Sequence, residues 1–297
     1  MDSSDDANSP DMFDTILNRP RQTIPNNGQV REGLSSSVGN SPVVSNKSED
    51  EETNSPWKVN FPIFRLPKVA VKENIILCIE NSQDKGLGYT FSDLDKNTKE
   101  PHPLSIRNEA LRMFMVNKLA IAKDTEFSIV SLESGKLNRL SPLTSNIGIL
   151  SKSLREYRYI SNEETNNILD ISPIFSDLPK LFDIPESSNN VTLIPPNHIV
   201  RVIFVYSNSY RAPQVNTNDP SYSKLLLSPF FFLDVFYLHE KQSDFNVVDR
   251  IYKELGKIVS PTSYLLESSR DVTKVFNNTM KLLAHPYQRV LDTAWNF

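Results

Sequence analysis

The stretch that most constrains the fold is residues 229–239, which read Pro-Phe-Phe-Phe-Leu-Asp-Val-Phe-Tyr-Leu-His. Eight of these eleven residues are apolar or aromatic, and they do not alternate with polar residues. Such a run is typical of a strand that is buried on both faces, as in a parallel sheet covered by helices. Only Asp234 interrupts it. The run therefore predicts a central strand of a layered α/β domain.

Two more apolar runs, at residues 74–79 and 199–206, predict further buried strands. Apolar residues at three- and four-residue steps predict helices at 105–123, 146–157, 221–227, 247–258 and 271–284, and shorter helices within 162–182. Residues 126–132 and 136–140 predict a strand pair turned at Glu133-Ser134-Gly135, and 263–268 a last short strand. This order predicts an α/β fold with a doubly wound, mostly parallel sheet and helices on both faces.

Charge divides the chain into regions. Residues 1–56 hold ten acidic and four basic residues, a net charge of −6, whereas the other 241 residues have a net charge of +2. Low apolar content and high net charge predict a disordered acidic Ser/Pro-rich tail over 1–56. We expect an extended lead-in at 57–71, a folded domain at 72–289 and an aromatic tail at 290–297.

Both tails contain candidate sites. Ser9, Ser41 and Ser55 each precede a proline, and Ser48 precedes four acidic residues, so these serines are candidate phosphorylation sites whose added charge would recruit or release a partner. In the C-terminal tail, Trp295 and Phe297 either fold back on the core or bind another protein, because interface cores favour aromatic residues.

Composition also argues against several classes of protein. A nearly neutral folded part argues against nucleic-acid binding, which needs a basic surface. The single cysteine, Cys78, cannot form a disulfide within the chain, which favours a reducing, intracellular compartment. No apolar run approaches the ~18–20 residues of a membrane span, and the first residues lack the layout of a signal peptide, so we expect a soluble protein.

The loop after the first predicted strand has the spacing of a metal motif. Glu80, Ser82 and Asp84 place oxygen ligands at alternate positions, like the Asp-x-Ser-x-Ser motif by which von Willebrand factor A domains bind Mg²⁺. That motif also needs a distant threonine, for which Thr144 is the candidate, and an aspartate after the fourth strand, where this chain has Asn208. We predict a degenerate site without a metal; the alternative is a metal-dependent binding module.

No motif for catalysis is complete. The four histidines, His102, His198, His239 and His285, do not cluster as zinc ligands, and neither a Gly-x-Ser-x-Gly elbow nor a phosphate-binding loop occurs. Asp234 is either a catalytic carboxylate in a dry pocket or a structural residue bonded to neighbouring loops. We therefore predict no enzyme activity and no cofactor.

Three segments taken together resemble the MERIT-forty family, the von Willebrand A-like subunits of the BRISC and BRCA-one-A deubiquitinase complexes. These segments are 194–207, which begins Ile-Pro-Pro, the aromatic run 229–239, and 281–289, which reads Lys-Leu-Leu-Ala-His-Pro-Tyr-Gln-Arg. The resemblance covers about residues 69–289, and the first-strand loop fits the family's incomplete metal motif.

The resemblance implies a non-catalytic scaffold that binds the ubiquitin-fold (UEV-containing) subunit of its complex. Lysine-63-linked ubiquitin chains would be cut by a separate zinc metalloprotease paired with a pseudo-protease, and a ubiquitin-binding adaptor would join the nuclear complex. The resemblance also implies roles in DNA damage, mitosis and receptor regulation, and a location in cytoplasm and nucleus. The sequence leaves open which complex the chain serves.

Overall fold

The computed structural model describes residues 71–80, 103–157, 168–186, 196–269 and 271–289. The predicted tails at 1–56 and 290–297, with their candidate serines and aromatic residues, lie outside the described residues. The lead-in before residue 71 and the positions Ser82, Asp84 and His102 lie outside them as well.

Strands and helices alternate along the described residues. The strands are β1 (Lys72–Glu80), β2 (Glu126–Glu133), β3 (Lys136–Arg139), β4 (Ile168–Asp170), β5 (His198–Tyr206), β6 (Ala212–Gln214), β7 (Phe231–Leu238) and β8 (Leu265–Ser268). The helices are α1 (Pro103–Ile121), α2 (Ile147–Glu156), α3 (Pro173–Ser176), α4 (Leu178–Leu181), α5 (Pro220–Leu226), α6 (Val248–Gly256) and α7 (Val272–Lys281). A 3₁₀ turn, Pro286–Gln288, follows α7.

Six of the described strands form one sheet in the order β3-β2-β1-β5-β7-β8. All neighbours are parallel except β3, which is antiparallel to β2 at one edge. This order is that of a doubly wound sheet, in which the chain starts near the middle and builds outwards in both directions. The predicted fold class is confirmed.

Successive residues of a strand point to opposite sides of the sheet. Both sides of this sheet are apolar, and helices cover both of them. On one face, Ile76, Val202 and Val235 pack in a cluster with Tyr222 of α5 and Ile251 of α6. On the other face lies a second cluster, formed by residues of β1, β2, β5, β7, α1, α2 and α7: Ile75, Leu77, Phe127, Ile203, Phe236, Phe114, Leu150 and Val275. Burial on both faces explains why the strands read as unbroken apolar runs.

The turn between β2 and β3 has the geometry that the sequence predicts. Ser134 and Gly135 both have positive φ, 46° and 69°. A two-residue hairpin of this kind matches the right-handed twist of the strands that it joins. Glycine tolerates this conformation, whereas serine adopts it at some cost. The turn fixes β3 as the antiparallel edge.

Side chains cap several helices at their predicted starts. Asn146 accepts hydrogen bonds from the backbone N–H groups of Gly148 and Ile149 at the start of α2, at 2.9 and 3.3 Å. Asp271 accepts one from Lys274 at the start of α7. Each cap satisfies a backbone donor that the first helical turn leaves without a partner.

A second, two-stranded sheet was not predicted. In it β4 and β6 run parallel, with Ile168 opposite Ala212 and Asp170 opposite Gln214. Each strand has only three residues, and β6 contains Pro213, so neither shows a readable period. The helices α3 and α4 that follow β4 agree with the short helices predicted for 162–182. Among the described helices, none combines the length and apolar content of a membrane span.

Candidate functional site

Glu80 lies at the edge where doubly wound sheets bind ligands. It is the last residue of β1 and lies opposite Leu132 of β2, at the carboxyl end of the parallel strands. Its side chain is fully buried. The first position of the predicted degenerate metal motif is therefore at the expected edge, while its second and third positions are outside the described residues.

Thr144, the threonine candidate for the same motif, lies at the other end of the sheet. It forms an antiparallel bridge with Phe127, near the start of β2 and five positions before Leu132. At ~3.3 Å per residue, this separates the two levels of the sheet by about 16 Å. The Thr144 hydroxyl instead accepts a hydrogen bond from the backbone N–H of Asn146 at 3.1 Å. The structure does not bring Thr144 to Glu80.

The loop after β5 uses its polar side chains to hold its own backbone. Asn208 Oδ1 accepts hydrogen bonds from the backbone N–H groups of Tyr210 and Arg211, at 2.8 and 2.7 Å. Ser209 accepts from Glu240 through its hydroxyl and from Val247 through its carbonyl, both at 3.0 Å. Asn208, which lies after the strand where the metal motif would need an aspartate, thus stabilises the turn.

A positive charge is buried at the same edge. Arg107, near the start of α1, is 1% exposed and donates hydrogen bonds to Asn108. Tyr157 donates one to Glu133 at 2.8 Å. Burial raises the pKa of Tyr157, and the charge of Arg107 opposes this rise. The guanidinium group of Arg107 makes this edge of the sheet less negative, which disfavours the binding of a metal cation there. Within the residues that the structure covers, no three His, Cys, Asp or Glu side chains come together as metal ligands.

The densest group of charges lies within the sheet towards its amino-terminal end. We call it the buried charge cluster, and it consists of Glu73 on β1, Lys118 on α1, Arg201 on β5, Asp234 on β7 and Arg289 after the 3₁₀ turn. All five side chains are 3% exposed or less. Two carboxylates face three cations, and each charge has an oppositely charged partner, as buried charges require.

Asp234 is the centre of this cluster. Both of its oxygens accept from Arg289 at 2.7 Å in a two-pronged contact, and Arg201 Nε donates to Oδ2 at 2.8 Å. The backbone N–H of Tyr264 donates to Oδ1 at 2.8 Å. Burial alone would raise the pKa of Asp234, but the two guanidinium groups and these hydrogen bonds hold it below its usual value. The contacts of Asp234 occupy both of its oxygens, as the structural alternative predicts, and leave it poorly placed to act as a base.

Arg201 links the two carboxylates of the cluster. Its Nη1 lies 3.2 Å from Glu73, whose other oxygen contacts the ammonium group of Lys118. Burial lowers the pKa of Lys118, and the carboxylate of Glu73 opposes this. Lys118 also donates to the carbonyl of Leu283 at 3.1 Å. The cluster thus ties α1 and the segment after α7 to the middle of the sheet.

His285 joins the two ends of the described domain. Its Nε2 lies 2.9 Å from the carbonyl of Val71, and its Nδ1 accepts from the backbone N–H of Tyr287 at 3.1 Å. A ring that donates through one nitrogen and accepts through the other is neutral. Burial lowers the pKa of His285, and Lys118 and Arg201 add to this, against the opposing charge of Glu73.

The other two described histidines also have local roles. His198 Nε2 contacts the carbonyl of Asp183 at 3.0 Å. His239 lies 2.5 Å from Glu267, which also pairs with Lys274 of α7 at 2.9 Å. Partial burial alone would raise the pKa of Glu267, but Lys274 and His239 hold it below its usual value. Cys78 is fully buried in β1, which raises the pKa of its thiol.

Asp234 could be singled out from the sequence, but the basic residues that pair with it were not predicted. The available signal was that Arg201 and Asp234 each interrupt an apolar run with a charge of opposite sign. Two buried strands that each contain one charge are expected to lie side by side so that the charges pair. Lys118 falls on the stripe of α1 that the three- and four-residue spacing places against the sheet, so its burial was readable although its partners were not. Arg289 carried no comparable signal, because it follows the last predicted helix.

Several known proteins are similar in sequence to this chain. No protein-family model matches the chain. BRISC and BRCA1-A complex member 1 of Homo sapiens is 30% identical over 244 residues, which are 78% of this chain and 71% of that protein. The Bos taurus protein of the same name is 30% identical over 79% of this chain and 70% of its own length, and that of Danio rerio 27% over 84% and 67%.

Similar solved structures include von Willebrand A domains. The SpRpn10 VWA domain has a TM-score of 0.46 and 10% identity, covering 74% of this chain and 99% of that domain. The vWF domain of the pili tip protein Mfa5 from Porphyromonas gingivalis has a TM-score of 0.41 and 10% identity, over 72% of this chain and 96% of that chain.

The sheet order and the helices on both faces define an α/β protein of the von Willebrand A-like class. Within that class, the chain belongs to the family of BRISC and BRCA1-A complex member 1. This confirms the family resemblance that the sequence segments indicated. The family's proteins are named as members of the BRISC and BRCA1-A complexes.

Proposed function

We propose that the chain is a non-catalytic scaffold subunit of a BRISC or BRCA1-A type deubiquitinase complex. It binds the UEV-containing subunit and thereby stabilises an assembly in which a zinc metalloprotease, paired with a pseudo-protease, cuts lysine-63-linked ubiquitin chains. A ubiquitin-binding adaptor joins the nuclear form, and the chain works in cytoplasm and nucleus, in DNA-damage, mitotic and receptor pathways. The observation that carries the proposal is the 30% identity to complex members over 79% of the chain.

The chemistry of the described residues supports a scaffold role. The carboxylate that had the strongest claim to catalysis, Asp234, accepts four hydrogen bonds and is held in its charged form. A general base needs a lone pair within reach of a substrate and a pKa near the working pH. Asp234 meets neither condition, and its contacts instead hold a rigid body together.

A reconstitution experiment tests the proposal. The full chain is mixed with the UEV-containing subunit and the metalloprotease pair of the same organism, and the mixture is analysed by size-exclusion chromatography with light scattering. We expect one assembly that contains the chain and cuts lysine-63-linked diubiquitin, while the chain alone cuts nothing. A chain that elutes by itself at its monomer mass, or that cleaves diubiquitin alone, would overturn the proposal.

A metal-dependent binding module is the alternative function. It predicts that a chelator, or the substitution Ser82→Ala, abolishes partner binding. The position of Thr144, at the opposite end of the sheet from Glu80, counts against this alternative because the motif needs both residues around one ion. Binding that survives excess EDTA excludes it.

A further inference from the structure

Phe245 is the most exposed large apolar residue among those that the structure describes. It is 88% exposed, whereas the next such residue, Ile121, is 66% exposed. It lies in the loop between β7 and α6, at the carboxyl end of the sheet. A phenylalanine in water forgoes the stabilisation that burial of its ring would contribute.

The tip of this loop is held by its own hydrogen bonds. Asn246 donates from its side chain to the carbonyl of Lys241 at 2.9 Å and accepts at Oδ1 from the backbone N–H of Ser243 at 3.2 Å. The backbone N–H of Asn246 returns a bond to the Ser243 carbonyl at 3.3 Å. These contacts hold the backbone on both sides of Phe245, so the exposed ring projects from a fixed point of the loop.

The base of the loop is fastened to the domain. The backbone N–H groups of Glu240 and Val247 both donate to Ser209, at 3.0 Å. Gln242 donates to Asp249 in the first turn of α6 at 2.6 Å. These hydrogen bonds hold the loop before any partner binds, and binding through a preorganised loop loses less conformational entropy than binding through a mobile one.

Charged groups flank the ring. Lys241 and Asp244 are exposed, and within the described part of the chain neither forms an ion pair. The carboxylate of Asp244 is next to the ring in sequence, so a surface that takes up the ring must accommodate a negative charge beside it. One ring is a weak membrane anchor, and the charges of Lys241 and Asp244 offset each other, so the loop has no net attraction to anionic lipid. A protein pocket with a basic residue at its rim fits both groups.

We propose that Phe245 is an aromatic anchor that inserts into an apolar pocket of a partner protein, with Asp244 pairing with a basic residue at the pocket's rim. The inference rests on the proposed function in naming the partner, which is the UEV-containing subunit. Buried aromatic residues at the centre of an interface commonly supply most of its binding energy, surrounded by a polar rim.

The test is a calorimetric titration of the full chain with the purified UEV-containing subunit. We expect Phe245→Ala to raise Kd at least about 30-fold, the effect of a strong interface anchor. Asp244→Lys should raise Kd as well, and this effect should shrink at high salt because it is electrostatic. Leu227→Ala is the matched control, since Leu227 is an exposed aliphatic residue before the start of β7, at the other end of that strand. Its Kd should stay within about twofold of that of the wild type.

The outcomes separate this inference from the proposed function. If the wild-type chain binds and Phe245→Ala binds within twofold as tightly, the scaffold role stands and the anchor is disproved. If the wild-type chain does not bind the UEV-containing subunit at all, the scaffold role and the choice of partner both fail. Sedimentation of the free chain tests whether the ring instead packs against a second copy of the chain. A wild-type dimer that the substitution Phe245→Ala dissociates would show this and would also overturn the inference.

Discussion

Asp234 and Arg289 are 55 residues apart in the chain, yet two guanidinium nitrogens of Arg289 each lie 2.7 Å from a different carboxylate oxygen of Asp234. The guanidinium also stacks on the ring of Tyr264, 4.1 Å from its centre, and donates to the carbonyl of Thr262 at 2.8 Å. Arg289 therefore fastens the segment after α7 to the centre of the sheet with a geometry that lysine could not reproduce.

Asp234→Asn tests the importance of this contact. The substitution keeps the shape of the side chain but leaves Arg201 and Arg289 buried without their carboxylate, and breaking a buried pair in this way costs about 3–5 kcal/mol. Urea denaturation followed by circular dichroism should show this loss in the free energy of unfolding. Asp244→Asn, in the exposed loop, is the control and should change it by less than about 0.5 kcal/mol. Equal midpoints for the two variants would show that the cluster contributes nothing.

His285 predicts how stability depends on pH. Its pKa is lowered in the folded protein from an ordinary value of 6.5, so the folded state keeps the ring neutral where the unfolded chain would protonate it. The stabilisation is complete above pH 6.5 and is lost as the pH falls towards the lowered pKa, by up to ~1.4 kcal/mol per pH unit. Asp234 and Glu267 also have lowered pKa values, but their protonation affects stability only below about pH 4.5.

The measurement for His285 is the difference in unfolding free energy between the wild type and His285→Gln from pH 7.5 to about pH 5. His198 and His239 are present in both proteins, so their contributions cancel. We expect the wild type to lose stability relative to the variant as the pH falls. A difference that does not change with pH would show that His285 is not kept neutral by the fold.

Phe232 gives a prediction about packing. Its side chain is 3% exposed and lies in a small cluster with Ile199, Phe230 and Tyr287, where its ring meets that of Tyr287 edge-on with centres 5.5 Å apart. Phe232→Ala should destabilise the domain by about 3–5 kcal/mol, because the removed ring leaves a cavity. Thermal melting should shift by several degrees, and Ile121→Ala, at an exposed position, should barely shift. A shift below about 2 °C for Phe232→Ala would contradict the packing described here.

The position of Thr144 predicts the response to metal removal. Thr144→Ala should cost less than about 1 kcal/mol, since it removes only a hydrogen bond to Asn146. Excess EDTA should leave the melting temperature and partner binding of both proteins unchanged, and added Mg²⁺ should not raise the melting temperature. A rise that is present in the wild type and absent in Thr144→Ala would revive the metal-dependent alternative.

The architecture could be predicted from the sequence because strands that are buried on both faces consist almost entirely of apolar residues. The runs that became β1, β5 and β7 contain few polar residues, and the helices between them carry apolar stripes, so type and order were readable. The strands β4 and β6 could not be predicted, because three residues are too few to show a period and their pairing depends on contacts between segments that are far apart in the chain.

The candidate site was less readable for a related reason. The motif at Glu80 was found from spacing along the chain, but spacing could not show that Thr144 belongs to the opposite end of the sheet. The buried charge cluster combines residues from β1, α1, β5, β7 and the segment after α7. Such a group is defined only by the fold, because the sequence marks Arg201 and Asp234 as charges within apolar runs but does not show which other charged residues join them.

The bond between His285 and Val71 closes a loop of 214 residues. Closing so long a loop costs more chain entropy than closing a short one. During synthesis, Glu73, Lys118, Arg201 and Asp234 are all made before Arg289 leaves the ribosome, so the carboxylate of Asp234 lacks its two-pronged partner until the end of the domain has been made. A premature stop codon a few residues before 289 would therefore yield a misfolded chain and not a slightly shortened subunit. We expect the quality-control machinery of the cell to degrade that chain.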